Sequence, residues 1–306
     1  MRAQADRLGY EISVKSVTNI VFETIKIGII KSNLISMFAG LCMALYVSDA
    51  SFFDKIGEIV LALVGTTFVI GAAGAFNNVY DRDIDIVMER TRKRPTVTGQ
   101  VSARNAILVG SILSVAGLVL LALASWEAAL FGFLGLFLYV VPYTMWTKRR
   151  TVYNTEVGSL SGATPPLIGW AAISSDLSHP ALLAIFLLML VWQMPHFYAI
   201  AIRRMEEYRS AGVPMLPVVY GLRRTYYQQN FYLVLLIATS ALFWSFSPTI
   251  AVVNAVVSAV WLGLSVAGYR RMPESGWSKT MFIFSLYHMT FIMLIIIGYS
   301  LIKPLF

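Results

Sequence analysis

Long apolar runs constrain this chain more than any motif in it. Where water is excluded, every backbone N–H and C=O must be satisfied within the protein, so runs of about 20 apolar residues form membrane-spanning helices. Nine such segments are read from the sequence, at 32–48, 57–80, 104–124, 128–146, 155–173, 181–202, 230–247, 249–269 and 281–302. The composition agrees: 58% of residues are hydrophobic and only 13% charged, far from the balance of a water-soluble domain. The expected fold is an all-α, polytopic membrane bundle of nine transmembrane helices, forming one domain over residues 1–306. The fifth segment, TEVGSLSGATPPLIGWAAI, is rich in small residues and holds Pro165 and Pro166, so a break is tolerated only if neighbouring helices re-satisfy its backbone. The lone cysteine, Cys42, lies in an apolar run; a disulfide framework is excluded and inert packing is its expected role.

Lys and Arg set the orientation. Of the 24, all but Lys55 and Lys303 fall before the first segment or after an even-numbered one. The positive-inside rule then puts the N-terminus and the even-numbered exits in the cytoplasm and the C-terminus outside. The net charge of +8 is thus a topology signal, and nucleic-acid binding is excluded. Residues 1–31 carry Arg2, Asp6, Arg7, Glu11 and Lys15 ahead of any apolar run, which fits a cytoplasmic lead-in and not a signal peptide. Polar loops at 81–103 and 203–229 are expected to cap the bundle on the same side.

The first loop opens with AFNNVYDRDIDIVMERTRKRPTVTG, Ala75 to Gly99. Asn77, Asp81 and Asp85 are spaced i, i+4, i+8, which aligns three oxygen-bearing side chains on one helix face; Asn78 and Asp83 flank it. Like charges so close repel. A divalent cation removes the conflict, and carboxylate and amide oxygens suit Mg²⁺ shared with substrate phosphates. Arg90, Arg92, Lys93 and Arg94 follow and are suited to phosphate oxygens, Arg as a two-pronged donor. The plainer alternative is a solvated loop whose bases obey the positive-inside rule and whose acids pair with them.

A second polar stripe closes the sixth segment. Gln193, His196, Ile200, Arg203 and Glu207 keep helical spacing, and Glu206–Glu207 adds an acidic pair on the cytoplasmic side. Ionisable groups inside a membrane mark function by default. The alternative is a histidine satisfied by a neighbouring helix and an arginine reaching back to the interface.

These residues resemble the UbiA superfamily of intramembrane prenyltransferases. Its first motif, N-D-x-x-D-x-x-x-D, stands here as Asn77-Asn78-x-x-Asp81-x-x-x-Asp85. Within the superfamily the chain is similar to the branch that farnesylates haem, through RTRKRP, GATPPLIGW, HF followed by EEY and AGVPMLP, and a weaker SLY at Ser285–Tyr287. The resemblance implies nine helices around an apolar cavity in a bacterial cell membrane, with the site facing the cytoplasm. It implies Mg²⁺-dependent transfer of farnesyl from farnesyl diphosphate to a vinyl group of haem B, giving haem O, and a downstream haem A synthase as a possible partner. The implied metal set is Asn77, Asn78, Asp81, Asp85 and Glu207. Asp81, Asp85, Arg90, Arg94, His196 and Glu207 are the implied catalytic residues, with Lys148, Arg149, Arg203 and Tyr208 binding substrate. His196 has three open roles: haem-iron ligand, water-orienting group or propionate contact. The chain departs from the family at Lys31-Ser32-Asn33, where Lys-Pro-Arg is usual. It departs again at Arg203 and Glu207, which replace a second D-x-x-x-D. Two rivals stand beside this reading: a UbiA-type enzyme acting on a quinone-ring precursor, and a secondary transporter of an anionic metabolite.

Overall fold

The computed structural model describes residues 16–305. The fold among them is helical throughout. A short helix α1 (Val17–Thr24) leads through a left-handed turn at Lys26 into α2 (Ile27–Val47). Then come α3 (Ile56–Tyr80), two single turns α4 (Arg82–Asp85) and α5 (Pro95–Thr98), and α6 (Ala103–Ala124). Helix α7 (Trp126–Leu138) continues as a π-helical stretch, Tyr139–Thr147. The second half holds α8 (Asn154–Gly162), α9 (Pro165–Ala171), α10 (Pro180–Arg203), α11 (Met205–Ser210), α12 (Leu216–Thr239), α13 (Pro248–Arg271) and α14 (Glu274–Leu305).

Among the described residues, seven helices are long and apolar enough to cross a bilayer: α2, α3, α6, α7 with its π extension, α10, α13 and α14. The other two segments read as spans take a different form. Segment 155–173 is two short helices, α8 and α9, parted at Ala163–Thr164 with Pro165 opening the second. Pro has no N–H to give and is at home in a first turn, so it starts a helix here instead of kinking one. Segment 230–247 is the apolar end of α12 plus a 3-10 stretch, Ser240–Ser245; the helix begins earlier, at Leu216, and carries Arg223, Arg224, Gln228 and Gln229. The expected cytoplasmic loop 203–229 is therefore largely helix: α11, a short connection, and the start of α12, which is interrupted at Gly221 with φ 74°.

Helix α14 packs on α2, α10 and α13, so the last long helix closes the bundle onto the first. Polarity is inverted relative to a soluble bundle. On α6, Leu108, Ile112, Val115, Val119 and Leu123 form an exposed apolar stripe, while Ala106, Gly110 and Gly117 face inward. Small residues at helix contacts let backbones approach, which is the packing available where burial from lipid gains little. The GATPPLIGW motif works this way. A Cβ added at Gly169 would collide with the Met37 carbonyl, and one at Gly40 with the Pro166 carbonyl, so α2 and α9 touch backbone to backbone.

Candidate active site

Two features of the fold bring Lys26 to the end of α3. The αL turn at Lys26 reverses the chain, and Gly74 has no side chain: a Cβ there would lie 2.8 Å from the Ile25 carbonyl oxygen. The α1–α2 junction thus rests on α3, and the Lys26 ammonium donates to Asn77 Oδ1. Asn77 Nδ2 donates onward to Asp81 Oδ2 at 2.8 Å and to Thr144 Oγ1 at 3.0 Å.

The expected register holds beyond the end of α3. Asp81 N donates to Asn77 O at 2.9 Å and Asp85 N to Asp81 O at 2.8 Å, so the three residues stay on one face although Asp81 caps α3 and Asp85 lies on α4. Asp81 is 0% exposed and Asp85 3%, which rules out the solvated-loop alternative. Burying carboxylates costs several kcal/mol each unless they are paired, and cations from three separate segments meet them. Lys148 donates to Asp81 Oδ2, Arg94 to Asp85 Oδ2 at 2.5 Å, and Lys26 reaches the cluster through Asn77. Asp81 Oδ1 is buried and takes no hydrogen bond, with Arg149 3.8 Å away. Burial, with Arg94 and Lys148 close by, pushes the Lys26 ammonium well below the usual lysine value.

Lys148 reaches Asp81 because the preceding helix changes register. Pro142 lacks an N–H, and the helix answers with wider turns: Lys148 N bonds Tyr143 O at 2.9 Å, and Thr144 Oγ1 bonds Tyr139 O at 2.8 Å. The same turns aim Thr144 at Asn77. Arg149, next along, forks onto Asp83 at 2.6 and 2.7 Å, donates to Tyr80 O at 2.8 Å, and lies 4.9 Å from the Tyr80 ring centroid. That hydrogen bond holds the Asp83 carboxyl below its ordinary value.

Asn78, read as a metal ligand, is anchored to α1 through its amide nitrogen, not through the oxygen that would bind a metal. Its Nδ2 donates to the carbonyls of Glu23 at 3.2 Å and Thr24 at 2.9 Å, while its buried Oδ1 has no partner. Arg90 has an exposed side chain, and its backbone N–H meets Glu207 Oε2 at 3.5 Å, joining the first polar exit to the second. Beneath that join, Ile84 packs on Ala201, Val213 and Met215 with Tyr208 alongside; the GVPMLP segment clamps α4. Tyr208, expected to bind substrate, is thus part of the clamp.

The second stripe is less uniform than its spacing implies. Gln193 is structural: its Nε2 donates to Ser159 O at 3.1 Å and Met189 O at 2.9 Å, tying α10 to the end of α8. His196 is half-buried, stacked on Trp192 (centroids 4.7 Å) and on Phe282 of α14 (5.4 Å), and its Nδ1 lies 2.7 Å from Ser285 Oγ. Arg203 is exposed over the Phe282 ring at 4.9 Å. Glu207 pairs with Arg204 at 2.5 Å, and not with Arg203. Partial burial works to raise the Glu207 carboxyl, but the hydrogen bonds from Arg204 and from the Arg90 backbone hold it below its usual value. A cavity of about 300 Å³ lies beside Arg203, Arg204, Glu206, Glu207 and Glu274.

Sequence reasoning missed Lys26, Thr144 and the partner of His196. Lys26 counted only as a topology charge, and Thr144 sat in an apolar run. Pro142 was the available signal for the π turns. No cluster of three or more acidic, His or Cys side chains that could hold a metal occurs among the described residues. The arrangement instead offers two buried carboxylates, one amide oxygen and an excess of cations. That suits a polyanion arriving with its own divalent metal, since Mg²⁺ normally takes one or two carboxylates together with substrate phosphates.

Comparison with known proteins agrees. Over 292 residues the chain is 59% identical to the protoheme IX farnesyltransferase of Shouchella clausii, covering 95% of this chain and 94% of that one. It is 57% identical to protoheme IX farnesyltransferase 1 of Bacillus cytotoxicus, covering 95% and 98%. Among solved structures, digeranylgeranylglyceryl phosphate synthase superposes with a TM-score of 0.74 at 18% identity, over 92% of this chain and 98% of that one. A UbiA homologue from Archaeoglobus fulgidus bound to DMAPP and Mg²⁺ superposes at 0.68 with 16% identity, over 91% and 99%. These two likenesses establish the shared fold. The UbiA prenyltransferase family model matches residues 33–287, so this chain belongs to the UbiA prenyltransferase family.

Proposed function

We propose that this protein transfers the farnesyl group of farnesyl diphosphate to a vinyl group of haem B and adds water, releasing haem O and diphosphate. The observation that carries the donor half is the buried Asp81–Asp85 pair ringed by Lys26, Arg94 and Lys148 where α3 leaves the bundle. The acceptor half is supported by the names of relatives that match 95% of the chain. The transporter reading has no place in a prenyltransferase family.

Asn77, Asp81 and Asp85 are the residues that would hold Mg²⁺ together with the substrate's phosphates, while Glu207 stays paired with Arg204 at the rim. When bound, the metal supplies neutralising charge to the diphosphate. Lys148 and Arg94 now hold the carboxylates and stand ready for phosphate oxygens; Arg90 and Arg149 add charge at the rim. As the allylic C–O bond breaks, its electron pair leaves with the diphosphate, and these fixed cations stabilise the charge where it develops. The apolar bundle keeps water from the allylic cation. The vinyl π electrons form the new C–C bond, and water adds to the resulting cation beside the porphyrin and loses a proton.

The distribution of Lys and Arg supports nine crossings, with α8–α9 and α12 as the two beyond the seven long helices, and a site on the cytoplasmic side. Haem O would then be available to a haem A-forming enzyme in the same membrane. The test is a product assay on solubilised protein with haem B, farnesyl diphosphate and Mg²⁺, read by chromatography and mass. Haem O that disappears in Asp81→Ala is the expected result. Prenylation of a small aromatic acid in place of haem B would overturn the acceptor and leave the fold standing.

A further inference from the structure

The hydrogen bonds around Ser285 decide which nitrogen of His196 carries the proton. Ser285 Oγ lies 2.5 Å from the backbone oxygen of Phe282, and a carbonyl oxygen only accepts, so the single hydroxyl proton is spent there. The same Oγ lies 2.7 Å from His196 Nδ1. With its proton committed, Ser285 can only accept from the ring, so Nδ1 bears the hydrogen and Nε2 keeps its lone pair. No hydrogen bond to Nε2 occurs among the described residues, and the side chain is only half-buried. Trp192 stacks on the ring at 18° and Phe282 at 30°, and Phe197 meets it edge to face at 5.3 Å, so the imidazole is held in place by aromatic contacts while Nε2 makes no hydrogen bond among the described residues. The Trp192 indole N–H in turn donates to Ser285 O at 3.2 Å, locking the α10–α14 contact that positions all three residues.

We propose that His196 Nε2 is the axial ligand to the iron of the haem acceptor, and that Ser285 is the positioning residue that fixes its tautomer and plane. This inference rests on the haem reading above. Its chemistry is that of metal-binding histidines generally: the distal N–H is held by an oxygen acceptor, which orients the ring and raises the basicity of the ligating nitrogen. The surroundings favour iron over a proton-transfer role. The described ring contacts are aromatic, and no acid is hydrogen-bonded to the Ser285–His196 pair to receive a proton. Arg203 lies seven residues further along the same helix, about 10 Å toward the cytoplasmic end. With iron at the depth of His196, a haem carboxylate extending along α10 would approach that exposed guanidinium.

The experiment titrates ferric haem B into the full-length protein in detergent and follows the absorption and electron paramagnetic resonance spectra, with haem O formation assayed on the same samples. Wild type is expected to show a nitrogen-ligated haem. His196→Ala is expected to lose that signature, and added imidazole to restore it. Ser285→Ala is expected to weaken haem binding about 10-fold, with Ser285→Thr, which keeps the hydroxyl, close to wild type. Retained farnesyl diphosphate binding shows that each variant is folded. If His196→Ala gives the wild-type spectrum while haem O is still made by wild type, the ligand assignment fails and the enzymatic reading survives. If wild type neither binds haem nor makes haem O, the reading itself fails and takes the assignment with it.

Discussion

The two polar helix exits differ in how their acids are held. At the end of α3, Asp81 and Asp85 are buried, and Asp81 meets a cation 67 residues away in the chain. At the end of α10, Glu206 pairs with Arg209 on the same short helix and Glu207 with Arg204 at its N-cap, each three residues away and partly in water. Local surface pairs contribute little and would form in an isolated helix. Buried pairs exist only because the fold assembles them, and breaking one strands a charge. The first exit is therefore a preorganised charge cluster, and the second is a surface that leans on it through Glu207 and the Arg90 backbone.

The sharpest way to break this contrast is to neutralise one acid at each exit. Asp81→Ala should lower haem O formation by about 10³-fold or more, on the scale of losing a central electrostatic group. Glu207→Gln should cost nearer 10-fold by the same measure, and equal losses would show that both exits are core to the reaction. Chelation separates chemistry from stability. EDTA should abolish product formation and added Mg²⁺ restore it, while the thermal midpoint stays put, because Lys148 and Arg94 already neutralise the carboxylates without metal. A midpoint that fell sharply with EDTA would mean that the metal is structural.

Stability sharpens the comparison next. Lys148→Met leaves buried Asp81 with only the Asn77 amide at 2.8 Å and Arg149 at 3.8 Å, and should destabilise the protein by about 3 kcal/mol, with Asp81→Asn in the same chain recovering most of it. Arg204→Met, which strands only a partly solvated Glu207, should cost about 0.5 kcal/mol in the same unfolding experiment. The smallest expected effect is on pH. Asp83 is held below its ordinary value by Arg149, so its contribution is present above the unfolded carboxyl value and is lost as pH falls through the lower folded one. Asp83→Asn should flatten that acid limb slightly, and only slightly, because the side chain is 66% exposed. An unchanged limb would assign it to other acids.

Much of the first exit was legible because it is local. Spacing of i, i+4, i+8 determines a shared helix face whatever surrounds it, and Asn77, Asp81 and Asp85 kept that face through the junction of α3 and α4. The second stripe was only partly legible, for a complementary reason. Spacing aligned Gln193 with His196, but a helix neighbour chose the use of each. Gln193 went to satisfy a carbonyl at the end of α8, and His196 went into an aromatic stack with α14. Asn78 likewise carries a motif position, and its amide nitrogen also ties α3 to the backbone of α1, which the spacing did not foretell. Segment 155–173 had the composition of a span, and its two short helices follow from Pro165 opening a new first turn.

By itself the sequence determined that the chain is a membrane helical bundle, since apolar runs of this length cannot leave backbone groups unpaired in lipid. It also determined the acid register, since helix geometry is a property of neighbouring residues. Tertiary structure alone decided which cations neutralise those acids, how the π turns after Pro142 aim Thr144 and Lys148, and which serine sets the tautomer of His196. Each of these joins residues far apart in the chain, and such contacts depend on how helices pack, which no local spacing encodes.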